Sequence, residues 1–121
     1  MAVVIPTALN VSMHDVTAGT DDKAHVVTWV LTNGDTATPL AMPYSTDRSV
    51  QVEGTFAGSS VTIEGSNDGT NYRTLRDPFN VTLVLSAADV RQVLEVSRFI
   101  RPTLVGAGPL TVSLLLVRRP K

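Results

Sequence analysis

A chain of 121 residues with 43% hydrophobic and 17% charged residues is the size of one domain and long enough to bury a core. Ten basic against eleven acidic side chains give a net charge of -1, which excludes the strongly basic surface that nucleic-acid binding uses. The absence of cysteine excludes disulfides, thiolate metal sites and a Cys nucleophile, so stability must rest on packing or on association. Residues 1–121 are therefore expected to form a single unit.

At the N-terminus, MAVVIPTALNVSM carries no Lys or Arg ahead of its apolar run, and Pro6 interrupts that run, so it does not read as a secretory signal. An uncharged apolar segment is costly to leave in water. Residues 1–10 thus read as an arm that docks on its own sheet or on another subunit, through Val3, Val4 and Ile5. Surface loops are expected over TAGTDDKA (17–24) and DTATPLAMPYSTD (35–47). Between them, AHVVTWVL (24–31) alternates His25, Val27, Trp29 and Leu31 with Val26, Thr28 and Val30, a strand pattern rich in β-branched residues, and NGD (33–35) marks a turn. Trp29 reads as core, whereas Tyr44, set in a loop between Pro43 and Ser45, reads as an exposed contact.

SVQVEGTF (49–56) is the cleanest strand, with Val50, Val52 and Phe56 on one face and Gln51, Glu53 and Thr55 on the other. In VTIEGSNDGTNYRTL (61–75), strands 61–65 and 71–75 flank a polar turn, with Val61 and Ile63 inside. Asp68-Gly69 suits chain reversal, since Asp tolerates a positive φ and Gly adopts it without steric cost. Alternatively Asn67, Asp68 and Asn71 could offer oxygens to Ca²⁺, although six to eight ligands are wanted and the turn holds one carboxylate. VTLVL (81–85) reads as a short strand. In SAADVRQVL (86–94), Ser86 followed by an Asp suggests one capped helical turn. RFIRPTLV (98–105) reads as a strand with Pro102 at an edge or irregularity, and Arg98 and Arg101 are expected to pair with acids on a neighbouring strand. GAGPLTVSLLLV leads into a final strand, followed by a basic tail, 118–121, with Arg118 and Arg119 as candidate contacts beside Lys121. Its apolar run LLLV (114–117) is strand-sized, far short of a membrane span.

Turn signals every 8 to 12 residues and no helical pattern of ten residues predict an all-β fold, an antiparallel β-sandwich of jelly-roll type with at most one short helical turn. Nothing in the chain reads as catalytic. His14, Asp15, Asp21, Asp22 and His25 match no standard metal spacing, and neither a G-x-S-x-G elbow nor a phosphate-binding Gly-rich loop occurs, so no cofactor and no metal are expected. Charge is distributed unevenly: residues 1–60 hold six acids and two bases, the remainder five acids and eight bases, or about -4 and +3. Opposite-sign faces that steer association are one consequence; mixing of the two halves on folding is the other.

SNDGTNY followed by RFIRP and a closing LTVSLLL resembles the second half of discoidin-type jelly rolls, over roughly residues 60–117. The longer run DRSVQVEGTFAGSSVTIEGSNDGTNYRTLRDP, with VLEVSRFIRPTLVGAG and TVSLLLVRRP, resembles small structural proteins of tailed bacteriophages and prophages, in particular head decoration (cement) proteins. That resemblance implies a non-enzymatic homo-oligomer, dimer or trimer, made in the host cytoplasm and bound to the capsid surface of the virion, with the major capsid protein as partner and with neither nucleic acid nor membrane. The alternative is a carbohydrate-binding or adhesion module that contacts its ligand through Tyr44 and the 66–71 turn.

Overall fold

The computed structural model describes residues 3–12, 23–41 and 47–118, the side chains of 8–12, 23–25 and 118 excepted. Among the described residues twelve strands follow in order: β1 (Val3–Val4), β2 (Thr7–Ser12), β3 (Lys23–Leu31), β4 (Thr36–Ala37), β5 (Leu40–Ala41), β6 (Asp47–Gly54), β7 (Ser60–Ser66), β8 (Arg73–Thr74), β9 (Val84–Leu85), β10 (Asp89–Gln92), β11 (Phe99–Val105) and β12 (Leu110–Arg118). The first sheet has the order β10-β6-β12-β3-β2; the second runs β5-β11-β7-β8, with β9 also on β7, and β1 pairs in parallel with β4. All pairs within the two large sheets are antiparallel. From β9 onward the chain changes sheet at every strand, and the expected jelly-roll-like β-sandwich is what forms.

The period-two pattern is the reason. Trp29, Val112 and Val52 stand side by side across β3, β12 and β6, and Val27, Leu114 and Val50 form the next inward row. Facing them from the second sheet are Val61, Ile63, Leu83, Leu85 and Ile100, all buried. Burying each such side chain contributes about 1.5–3 kcal/mol, and together they stabilise two sheets that share one core. Trp29 is at its centre, 1% exposed, and its indole Nε1–H donates to the Thr38 carbonyl at 3.0 Å, so the one polar atom of the ring is satisfied.

Pro102 is placed where a missing N–H does no harm. Ile63, its partner on β7, directs both its N–H and its C=O away from β11, to Leu83 and Leu75, so the Pro102–Ile63 pair is a non-hydrogen-bonded one. On the other side β5 covers only Phe99 and Ile100, which leaves β11 an edge from Pro102 onward.

The expected helical turn over 86–94 does not form. Ser86–Ala88 bend, and Asp89–Gln92 become β10, antiparallel to β6. The Asp89 carboxylate accepts from the adjacent Val90 N–H rather than capping a turn. Pairing with β6 satisfies backbone groups that the sheet edge would otherwise expose. Arg91 and Val93, the inward positions, then follow period two, although Val90 and Val93 are spaced as on a helix.

Candidate functional site

Of the contact residues expected from the sequence, the structure docks the arm on its own domain. Val4 packs against the core and its carbonyl accepts the Thr38 N–H at 2.8 Å. Val3 and Ile5 point outward, 69% and 74% exposed. Tyr44, Arg119, Lys121, His14, Asp15, Asp21 and Asp22 lie outside the described residues, as do the side chains of His25 and of Arg118 at the end of β12.

The 66–71 turn is closed on itself. Asp68 accepts four hydrogen bonds, from the Ser66 hydroxyl, the Thr70 and Asn71 backbone N–H groups and the Asn71 side-chain amide, each at 2.8 Å. These donors, Asn71 first among them, hold its carboxyl far below the usual carboxylate range. The Asn67 amide oxygen accepts the Arg98 N–H, tying the turn to the start of β11. Of the Asp68-Gly69 pair only Gly69 takes a positive φ, 77°, and a Cβ there would lie 3.2 Å from the Phe99 ring. N–H groups converging on a carboxylate are the reverse of what a cation needs, and no group of three or more His, Cys, Asp or Glu able to hold a metal occurs among the described residues.

A second hairpin carries more. Leu75 and Leu83 meet on the same residue of β7, Ile63, and bond each other through Leu83 N–H and Leu75 C=O, so residues 76–82 form an outward excursion with a closed neck. Arg76 and Thr82 form the next rung, and the Asp77 N–H donates to Val81 C=O above it. The tip Pro78-Phe79-Asn80 is a three-residue loop: the Asn80 N–H returns to Asp77 C=O, Pro78 supplies the φ wanted at the first corner, and Asn80 sits at φ 64°. Asp77 Oδ1 accepts the Phe79 and Val81 N–H groups, while Oδ2 accepts Arg91 Nη2 at 2.7 Å and Nε at 3.2 Å. Arg91 and these backbone donors hold the Asp77 carboxyl below its ordinary range, burial opposing them. Arg76 also reaches Glu95 at 2.8 Å and Asn80 Oδ1 at 2.8 Å.

This rigid turn presents Phe79 to solvent at 87% exposure. Segments 76–82 and 91–96 lie side by side, joined by Leu94 N–H to Arg76 C=O and by both ion pairs, and Val81, Leu94 and Val96 on them are also exposed. Sequence reasoning passed over this element. Its signal was DPFN itself: an acceptor at the first turn position, Pro at the next and an αL-tolerant Asn after the tip.

On the outer side of the second sheet, Arg101 pairs with Glu64 of β7 at 3.1 Å, as expected, and its guanidinium lies 3.7 Å from the Tyr72 ring centroid. Thr103 donates to the same Glu64 oxygen. Arg98 instead lies over the Phe99 ring, 5.2 Å from its centroid. Between β4 and β11, Asp35, Thr36, Ala37, Arg101, Pro102 and Thr103 line a shallow cleft of about 150 Å³. Asp35 Oδ2 is engaged there by the Thr32 N–H and hydroxyl, and its residues form no nucleophile–base pair. Comparison with protein-family models, with curated proteins and with solved structures finds no match.

Proposed function

We infer that this protein is a non-enzymatic structural protein of a phage virion that binds the outside of a capsid and stabilises it by bridging neighbouring capsid subunits. The observation that carries the reading is the 75–83 hairpin, a tip locked by its own hydrogen bonds and by the Asp77–Arg91 pair around an almost fully exposed Phe79. A loop whose backbone is fixed before binding loses less entropy on docking, and aromatic anchors ringed by polar pairs are how protein surfaces recognise proteins. The sequence resemblance to head decoration proteins supplies the kind of partner. Many equivalent copies of modest affinity would then hold a shell by avidity.

The carbohydrate reading has less to draw on. The Asp68, Asn71 and Asn67 side chains of the 66–71 turn are engaged within the domain.

Co-sedimentation with assembled heads of the phage or prophage that encodes the chain, against unassembled capsid protein, tests the reading. Binding to heads alone is expected, with a loss of at least about 30-fold for Phe79→Ser, the scale of a hot-spot truncation of about 2 kcal/mol. Failure of the unaltered chain to associate with heads would overturn it.

A further inference from the structure

The outer face of the first sheet differs from an ordinary solvated sheet face. Strand register puts Val26, Thr28 and Val30 of β3 beside Leu115, Ser113 and Thr111 of β12, and all six point away from the core. No described outward position of β3 or β12 is charged, and across the whole face no outward Lys or Arg is described. The acids on it are Asp47 and Glu53, at the two ends of β6 and therefore on the rim. Solvated antiparallel faces ordinarily carry charge, and charge in mid-face is what prevents sheets from stacking.

We propose that this face is where the protein dimerises, two copies stacking their first sheets about a two-fold axis that runs along β12. Five strands of four to nine residues, spaced about 4.8 Å apart and rising about 3.3 Å per residue, give a face of roughly 600 Å² per copy. Specific complexes bury from about 600 to 1,000 Å² per partner, so the face reaches the lower end of that range. The axis also fixes what meets what. Each row opposes its own copy: Leu115 meets Leu115 and Ser113 meets Ser113, while Val26 falls against the partner copy's row at the β6 position Ser49 and Thr28 against the amide at the β6 position Gln51, with which its hydroxyl can hydrogen-bond. β6 falls against the partner's β3, so neither Asp47 nor Glu53 opposes an acid. Uncharged rows at its centre and no acid set against an acid make the face one that a second copy can cover.

The dimer does not depend on the capsid reading; together they give a bridge two sites, one for its twin and one, at Phe79, for the shell. Sedimentation of the full chain at about 50 µM is expected to give a dimer, with Ser113→Arg weakening self-association at least about 100-fold, because a charge is left desolvated mid-face. Phe79→Ser should leave the dimer intact. With no native cysteine, Ser113→Cys gives a site-specific probe, and a short bismaleimide should couple two copies through it but not through Thr70→Cys in the 66–71 turn. A monomeric unaltered chain, a dimer that survives Ser113→Arg, loss of the dimer in Phe79→Ser, or coupling at 70 and not at 113 would each overturn the proposal.

Discussion

The two outer faces of the sandwich are built on the same backbone pattern and end differently. On the second sheet, Glu64 and Arg101 pair across strands at 3.1 Å, Thr103 shares the same carboxylate oxygen, and Tyr72 covers the guanidinium. On the first, the described outward positions of the two strands at the heart of the face are Val, Leu, Ser and Thr. Both cover one core, so packing cannot account for the contrast. One face is complete in water; the other gains by being covered.

The largest expected effect breaks both faces at once. Trp29→Ala removes the side chain that fills the centre of the core and orphans the Thr38 carbonyl, so denaturant unfolding should show a loss of about 3–5 kcal/mol. Deleting residues 1–6 removes the β1–β4 pairing and the half-buried Val4, for a loss of about 1–2 kcal/mol in the same experiment, with sedimentation unchanged. An altered oligomer would mean that the arm, rather than the sheet face, mediates association.

Acid sharpens the comparison from another side. The folded state holds Asp68 and Asp77 below the ordinary carboxylate range of about 4, so the stability they supply is complete above that range and is lost as pH falls through their lowered folded values. Thermal melts should be flat from about pH 5 to 7 and fall steeply below about pH 4. Asp77→Asn should make that fall shallower while lowering the plateau, and a variant whose acid fall matches the unaltered protein would contradict the role given to Asp77. Smallest of all is Arg101→Ala. A partly exposed pair on the solvated face is worth about 0–1 kcal/mol, so stability should change little and sedimentation not at all.

Much of this fold is legible in the alternation of apolar and polar residues. Val50 and Val52 against Gln51 and Glu53, and Val61 and Ile63 against Thr62 and Glu64, give the inward faces directly, because a strand allows only two directions. The stretch 86–94 misleads because Ser86 with an Asp in the following turn has the pattern of a helix cap, and only the open edge of β6 decides for a strand. Phe79 is hard to read for a related reason: an isolated Phe suggests core, and its exposure depends on long-range partners, Arg91 and Ile63, that local pattern does not name. The uncharged centre of the first sheet's outer face is likewise invisible strand by strand. Thr28, Ser113 and Gln51 become one row only when register is known.

The account turns on which outer face is covered, and cysteine labelling reads that directly. With Ser113→Cys on the first sheet and Thr62→Cys on the second, thiol modification is compared at about 1 µM and at about 100 µM protein. Labelling at 113 should slow at least tenfold at the higher concentration while labelling at 62 stays constant. Equal rates at both positions and both concentrations would contradict it.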